Sequence, residues 1–186
     1  MNKLLTFSAI ILSSATLAAC GTSSKSSSSS QSNSTEHVST ESSSTPKTEK
    51  YYFKNDELKI RDLKIKITKS KVIPVGSKGN DYGEKPVLAI WYKTTNLSDK
   101  EIDPSIAWMS SFEAYQDNNK DRENKLNVGG LPDDRFLDSQ QDNIKKNGTV
   151  ENAVSYELDD ETTPVTLKAT KGVAGEELGT KTFDIK

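Results

Sequence analysis

One histidine, His37, and one cysteine, Cys20, are all that 186 residues offer to imidazole or thiol chemistry. His37 falls in a run of Ser, Thr and charged residues, so the rest of the chain has no imidazole to act as general base for a serine or cysteine nucleophile. A serine–lysine pair would need Ser70 to reach Lys69 or Lys71, yet neighbours on a strand point to opposite faces. Zinc requires clustered Cys, His and carboxylate at short spacings, and none occurs. Asp117, Asn119 and Asp121 do match the first three positions of a calcium loop, D-x-N-x-D, whose alternating oxygens converge on a hard cation. The match stops at Arg122, where glycine must make the sharp bend, and at Val128, where the bidentate Glu belongs. A polar hairpin tip accounts for the three residues without an ion. Asp133, Asp134 and Asp138, or Asp159, Asp160 and Glu161, could add ligands only where the fold brings them close. Carboxylates are numerous enough for an acid/base pair, but nothing in their spacing selects one. The expectation is no catalytic residue, no metal and no cofactor.

Cys20 has a context of its own. Met1 to Lys3 give a short positive start, Leu4 to Leu17 an apolar run broken only by Thr and Ser, and Leu17-Ala18-Ala19-Cys20 closes it with small residues. The run is shorter than the roughly 20 apolar residues that span a bilayer, so it reads as an export signal. The tetrapeptide resembles a bacterial lipobox, in which cleavage precedes the cysteine and its thiol receives a diacylglycerol. Cys20 is then the lipidation site, and two acyl chains hold stably where one holds only reversibly. The expected address is the extracytoplasmic face of the cell membrane, with the membrane as partner through that diacylglycerol. The N-x-S/T triplets at Asn33, Asn96 and Asn147 have no glycosylating machinery on such a route.

From Gly21 to Lys50 the only aliphatic residue apart from Pro46 is Val38. Such a segment cannot bury enough apolar surface to offset ordering its backbone, and is expected to be a disordered linker with a root-mean-square reach of roughly 30 Å. The organisation expected is a signal peptide over 1–19, lipidated Cys20 and linker over 20–50, and one domain over 51–186. With Lys3 removed, 24 basic residues stand against 27 acidic, a balance that does not suggest a nucleic-acid binder.

The domain is dominated by period-2 alternation. Leu63, Ile65 and Ile67 alternate with Lys64, Lys66 and Thr68; Leu58 and Ile60 precede them, with a slip of phase at Arg61-Asp62 that marks a bulge or a break. Val87 to Tyr92 is apolar on both faces and reads as a central strand. Trp108, Ser110, Phe112 and Ala114 form a further inward set. So do Val150, Val154, Tyr156 and Leu158, with Asn152 inward among them and Glu151, Ser155 and Glu157 outward. Val165, Leu167 and Ala169, then Phe183 and Ile185, complete the pattern. Between Leu126 and Gly148 the alternation fades into turn residues with at most a short helix, as a crossover between two sheets requires. The fold expected is all-β, a single immunoglobulin-like antiparallel sandwich.

Val87 to Asn96, the run W-M-S-S-F-E-A-Y-Q-D-N from Trp108 to Asn118, and G-T-V-E-N-A-V-S-Y-E-L from Gly148 to Leu158 resemble a family of Gram-positive lipoprotein domains of unknown function. That family is related to small secreted immunogenic antigens of mycobacteria. The resemblance implies the same sandwich and the same address, and it transfers no catalytic residue.

Charge is unevenly spread. Lys54 to Lys85 hold nine basic residues against five acidic, whereas Asp99 to Glu161 hold seven against sixteen. Lys59, Arg61, Lys64 and Lys66 would line one outward strand face able to meet an anionic cell-wall polymer such as teichoic acid. An edge strand charged with lysine against sheet-to-sheet pairing accounts for the same residues. The function expected is therefore that of a membrane-anchored binding or scaffolding module of the cell envelope, acting on a polymer or a surface protein. The alternative is an envelope enzyme using a carboxylate pair or divalent metal between Leu126 and Gly148.

Overall fold

A computed structural model of the chain describes residues 51–186; the signal segment, Cys20, the linker and His37 lie outside the described residues. The fold is all-β and antiparallel throughout. The first sheet has the order β1 (Tyr52–Lys54), β2 (Glu57–Lys59), β3 (Leu63–Ile73), β4 (Val87–Asn96), β6 (Thr149–Glu157). The second has β5 (Phe112–Gln116), β7 (Val165–Thr170), β8 (Glu177–Phe183). The segment between β5 and β6 passes from one sheet to the other, as its faded pattern required. No helix among the described residues is long and apolar enough to cross a membrane.

Local chemistry sets these elements. Asn55 and Asp56 both adopt positive φ (50° and 62°), the left-handed pair that closes a two-residue hairpin between β1 and β2. The slip at Arg61-Asp62 is a break: the chain turns there, with the Ile60 N–H donated to the Leu63 carbonyl at 3.0 Å, and returns as β3. β4 is central, flanked by β3 and β6, which is why it is apolar on both faces.

One expectation fails at Trp108, which lies on a helix, α1 (Pro104–Met109), and not on a strand. Asp103 caps it by accepting the Ile106 N–H at 2.8 Å, and Pro104 occupies the first turn, where a missing N–H costs nothing. The inward set 108, 110, 112, 114 mixes the last turn of α1 with the first residues of β5. Trp108 nevertheless fills the centre of the core between the sheets. Its ring lies 4.4 Å from those of both Tyr92 and Phe112, and its indole N–H is donated to the Tyr156 hydroxyl at 2.8 Å.

A second expectation fails at Ser155, placed outward by alternation but 1% exposed. The crossover covers it. Residues 127–130 run along the free edge of β6, with the Gly129 N–H bonded to the Ser155 carbonyl and the Glu157 N–H to the Asn127 carbonyl, both at 2.9 Å. The Ser155 hydroxyl donates to the Gly130 carbonyl at 2.6 Å. The same segment then lies over a small second core of Ile73, Val87, Ala89 and Trp91 on the outer face of the large sheet. An edge that would otherwise offer unpaired backbone groups is closed by this packing.

Candidate functional site

The register of β3 against β4 decides which lysines meet. Ile67 pairs with Tyr92 and Lys69 with Trp91, so Thr68 is an extra residue, a β-bulge. Up to Ile67 the odd-numbered positions face the core; beyond the bulge they face outward, and Lys69 and Lys71 emerge beside Trp91 and Ala89. Ser70 takes the opposite face, which separates it from the amines of Lys69 and Lys71.

Above these residues the crossover and the loop after β3 form the walls. Asn80, 8% exposed, donates its side-chain amide to the Ile73 carbonyl at 3.2 Å and the Lys85 carbonyl at 2.9 Å, which fixes the loop carrying Lys78. Gly79 sits at φ +91° so close to the crossover that a Cβ there would lie 2.4 Å from the Pro132 carbonyl oxygen. Between the walls is a recess of about 390 Å³ reached by Lys69, Lys71, Lys78 and Arg135, with Trp91 and Pro132 as its apolar surface. A second recess of about 240 Å³ adjoins it and shares Lys69, Trp91, Asp133 and Arg135.

The shared residues are tied together. The Trp91 indole N–H is donated to Asp133 Oδ2 at 2.8 Å, and Arg135 grips the same carboxylate through Nε and Nη2, at 2.9 and 2.7 Å. Lys69 Nζ stands over the indole ring, 4.9 Å from its centroid, the geometry of a cation–π contact. Asp133 also caps the 3₁₀ turn Asp134–Phe136. Lys71 and Lys78 make no ion pair or hydrogen bond with other described residues, so their charge is not spent inside the domain.

The Arg135 guanidinium, with help from the Trp91 N–H, holds the Asp133 carboxyl well below the usual carboxylate range. Folded Asp133 therefore stays ionised where the unfolded chain, with a carboxyl value near 3.9, takes up a proton. Its stabilising contribution is complete above that value and declines as the pH falls through and below it. Asp133→Asn removes this dependence. Between about pH 5 and pH 3, urea midpoints of the native protein should fall more steeply than those of the variant, and parallel slopes would contradict the assignment.

The residues singled out as a basic face are placed differently. Lys59 faces Lys64 across β2 and β3, and Lys66 shares the outward face of β3. Arg61 lies in the turn between the strands and not on that face. Lys64 is 3.8 Å from Glu57, and Lys66 Nζ donates to the Asn55 carbonyl, so these charges are partly compensated. Nor is the lysine-bearing stretch an edge, because β2 and β4 flank it and the edges of the large sheet are β1 and β6.

The calcium candidates do not form a cage. Asn119 Oδ1 accepts the backbone N–H groups of Asp121 and Arg122 at 3.0 and 3.2 Å, Lys120 binds both oxygens of Asp121, and Asp117 is exposed. Asp159 and Asp160 do reach this hairpin, but their oxygens accept from the amides of Asn124 and Asn118, both at 2.9 Å. Among the described residues no group of three His, Cys, Asp or Glu side chains is arranged to hold a metal. In the crossover, Asp133 is held by Arg135 and Trp91, and Asp134 and Asp138 are exposed. A cleft of about 190 Å³ between α1 and residues 128–131, bordered by Met109 and Val128 and also by Gln140 and Gln141, is lined by no ionisable side chain apart from the phenol of Tyr92.

Sequence reasoning missed Lys69, Lys71, Lys78, Trp91 and Arg135 as a group. The bulge that turns Lys69 and Lys71 toward Trp91 of β4 leaves no composition signal, and Lys78 and Arg135 come from two separate connecting segments.

The sequence model of a family described as Domain of unknown function (DUF5067) matches residues 38–171. No curated protein matches the chain. Among solved structures it is similar to one described as a "putative lipoprotein" from Staphylococcus aureus, at 23% identity and a TM-score of 0.62, covering 73% of this chain and 92% of that one. An uncharacterized beta-sandwich protein from Clostridium difficile 630 is similar at 14% identity and a TM-score of 0.44, covering 74% of this chain and 99% of that one. The first of these likenesses is one of fold.

Proposed function

The chain belongs to the DUF5067 family of domains of unknown function, and on that premise we propose that it is a lipid-anchored, non-catalytic binding module on the outer face of a cell membrane. The observation that carries the binding part is the crossover folded onto the large sheet, which walls a recess where Lys71 and Lys78 have no partner among the described residues. A rigid sheet face bounded by loops is the usual way a scaffold presents a binding surface. Leu17-Ala18-Ala19-Cys20 supports the anchor, and the polar linker of about 30 residues supports a domain held clear of the headgroups. The description of the S. aureus neighbour is in keeping with that address. Kinship with mycobacterial secreted antigens rests on the three motif segments alone.

The anchor is tested by metabolic labelling. Cells expressing the chain and fed an alkyne-tagged palmitate should yield a labelled membrane-bound protein. Cys20→Ala should abolish the label and its processing. Label retained by the variant, or native protein found in the cytosol with its first residues uncut, would refute the anchor.

A further inference from the structure

We propose that the groove around Trp91 binds a linear phosphodiester polymer outside the membrane, with Lys69, Lys71, Lys78 and Arg135 as its cationic wall. The inference rests on the binding-module reading above and supplies its ligand class. Three features carry it. First, the charge is available: Lys64 has Glu57 and Lys93 has Glu151 at 3.0 Å, but Lys71 and Lys78 are unpaired among the described residues. Second, four cations face two carboxylates, Asp133 and Asp134, across a concave recess floored by Trp91, Ile73 and Pro132; Asp133 is taken up by Arg135, so the balance is positive where field lines concentrate and an anion is held more strongly than on a convex surface. Third, Lys69 and Lys71 are two residues apart on one strand face, a separation of about 7 Å. Two flexible amines rooted at that spacing can reach successive phosphates of a linear phosphodiester chain with a short linker.

The side chains favour phosphodiester over carboxylate. Lysine acts as a point charge toward phosphate, while the Nε–Nη2 edge of Arg135, the fork best suited to a carboxylate, is occupied by Asp133. A polymer fits better than a bilayer surface because the indole is recessed and half-buried, with Lys69 over it, and cannot insert among acyl chains. The adjoining recess shares Lys69 and Arg135, and its two carboxylates, Asp133 and Glu151, are paired with Arg135 and Lys93, so a chain can continue past the first contact.

The test uses the mature lipidated protein reconstituted in phosphatidylcholine vesicles, with fluorescent poly(glycerol phosphate) as probe. The polymer should be retained, and retention should weaken with added salt. Lys71→Gln with Lys78→Gln should weaken it roughly twenty-five-fold, the product of about fivefold for each lysine facing an anionic surface. Lys59→Gln with Arg61→Gln, outside the groove, should change it less than about twofold. Absence of retention, or equal losses in the two double variants, would overturn the proposal. So would displacement of the polymer by soluble short-chain phosphatidylglycerol at equal phosphate concentration, which would make a lipid headgroup the ligand. Because the label on Cys20 is read separately, failure of the anchor and failure of the groove are distinguishable.

Discussion

Trp108→Ala should remove about 3–5 kcal/mol of stability, the range for truncating a buried aromatic, with about 1 kcal/mol more for the Tyr156 hydroxyl left without its partner. The side chain is 0% exposed, sits between Tyr92 and Phe112, and receives no help from a disulfide, since the only cysteine is Cys20. Against a total of about 5–15 kcal/mol for an ordinary domain, such a loss removes from about a third to all of the stability. Urea unfolding followed by far-ultraviolet circular dichroism measures it without relying on the indole that is removed. Trp108→Phe keeps most of the apolar area and loses the N–H, so its cost should be clearly smaller. Equal costs for the two variants would mean that the hydrogen bond, and not the ring, carries the effect.

Gln116→Leu should cost about 2–4 kcal/mol, although leucine is nearly as large and more apolar. Gln116 is 0% exposed, and its amide serves the backbone of the turn between β6 and β7. It donates to the carbonyls of Asp160 and Thr163, at 2.9 and 2.8 Å, and accepts the Asp159 N–H at 2.7 Å. The same oxygen also accepts the Asp160 N–H at 3.4 Å, so leucine would leave four backbone groups without this partner, each costing about 1–3 kcal/mol where water cannot reach it. Because the turn is part-exposed, water recovers some of that loss. Hydrogen exchange should show the Asp159 amide losing protection first, and an unchanged Asp159 amide would contradict the clamp.

The strands were legible in sequence wherever one face was wet. Leu63, Ile65 and Ile67 are all buried, and Val87 to Tyr92 lies at the centre of its sheet as a doubly apolar run should. Alternation misled at two places for one reason: it reports burial, and a neighbour in space can supply burial to a residue of either phase. Trp108 is buried on a helix announced by Asp103-Pro104, a start signal stronger than the period-2 pattern beside it. Ser155 is buried by the crossover, a segment read from the sequence as an irregular passage between the sheets with no indication that it would pair along the edge of β6. The groove was illegible because it depends on register. The choice of Lys59, Arg61, Lys64 and Lys66 followed charge density along the chain, whereas Lys71 and Lys78 meet Arg135 through a loop return and a sheet crossover.

Thr68, the added residue in β3, divides the strand into two halves under different constraints. On one side of it the odd positions answer to the packing of the interior, where even a methylene is felt; on the other, Lys69 and Lys71 answer to what lies outside, and only Ile73 is again covered, by the crossover. Lysines 69 and 71 can therefore be exchanged for other polar residues at little cost to folding. The scaffold is in that sense modular within a single strand, able to change what it recognises while keeping the architecture that presents it.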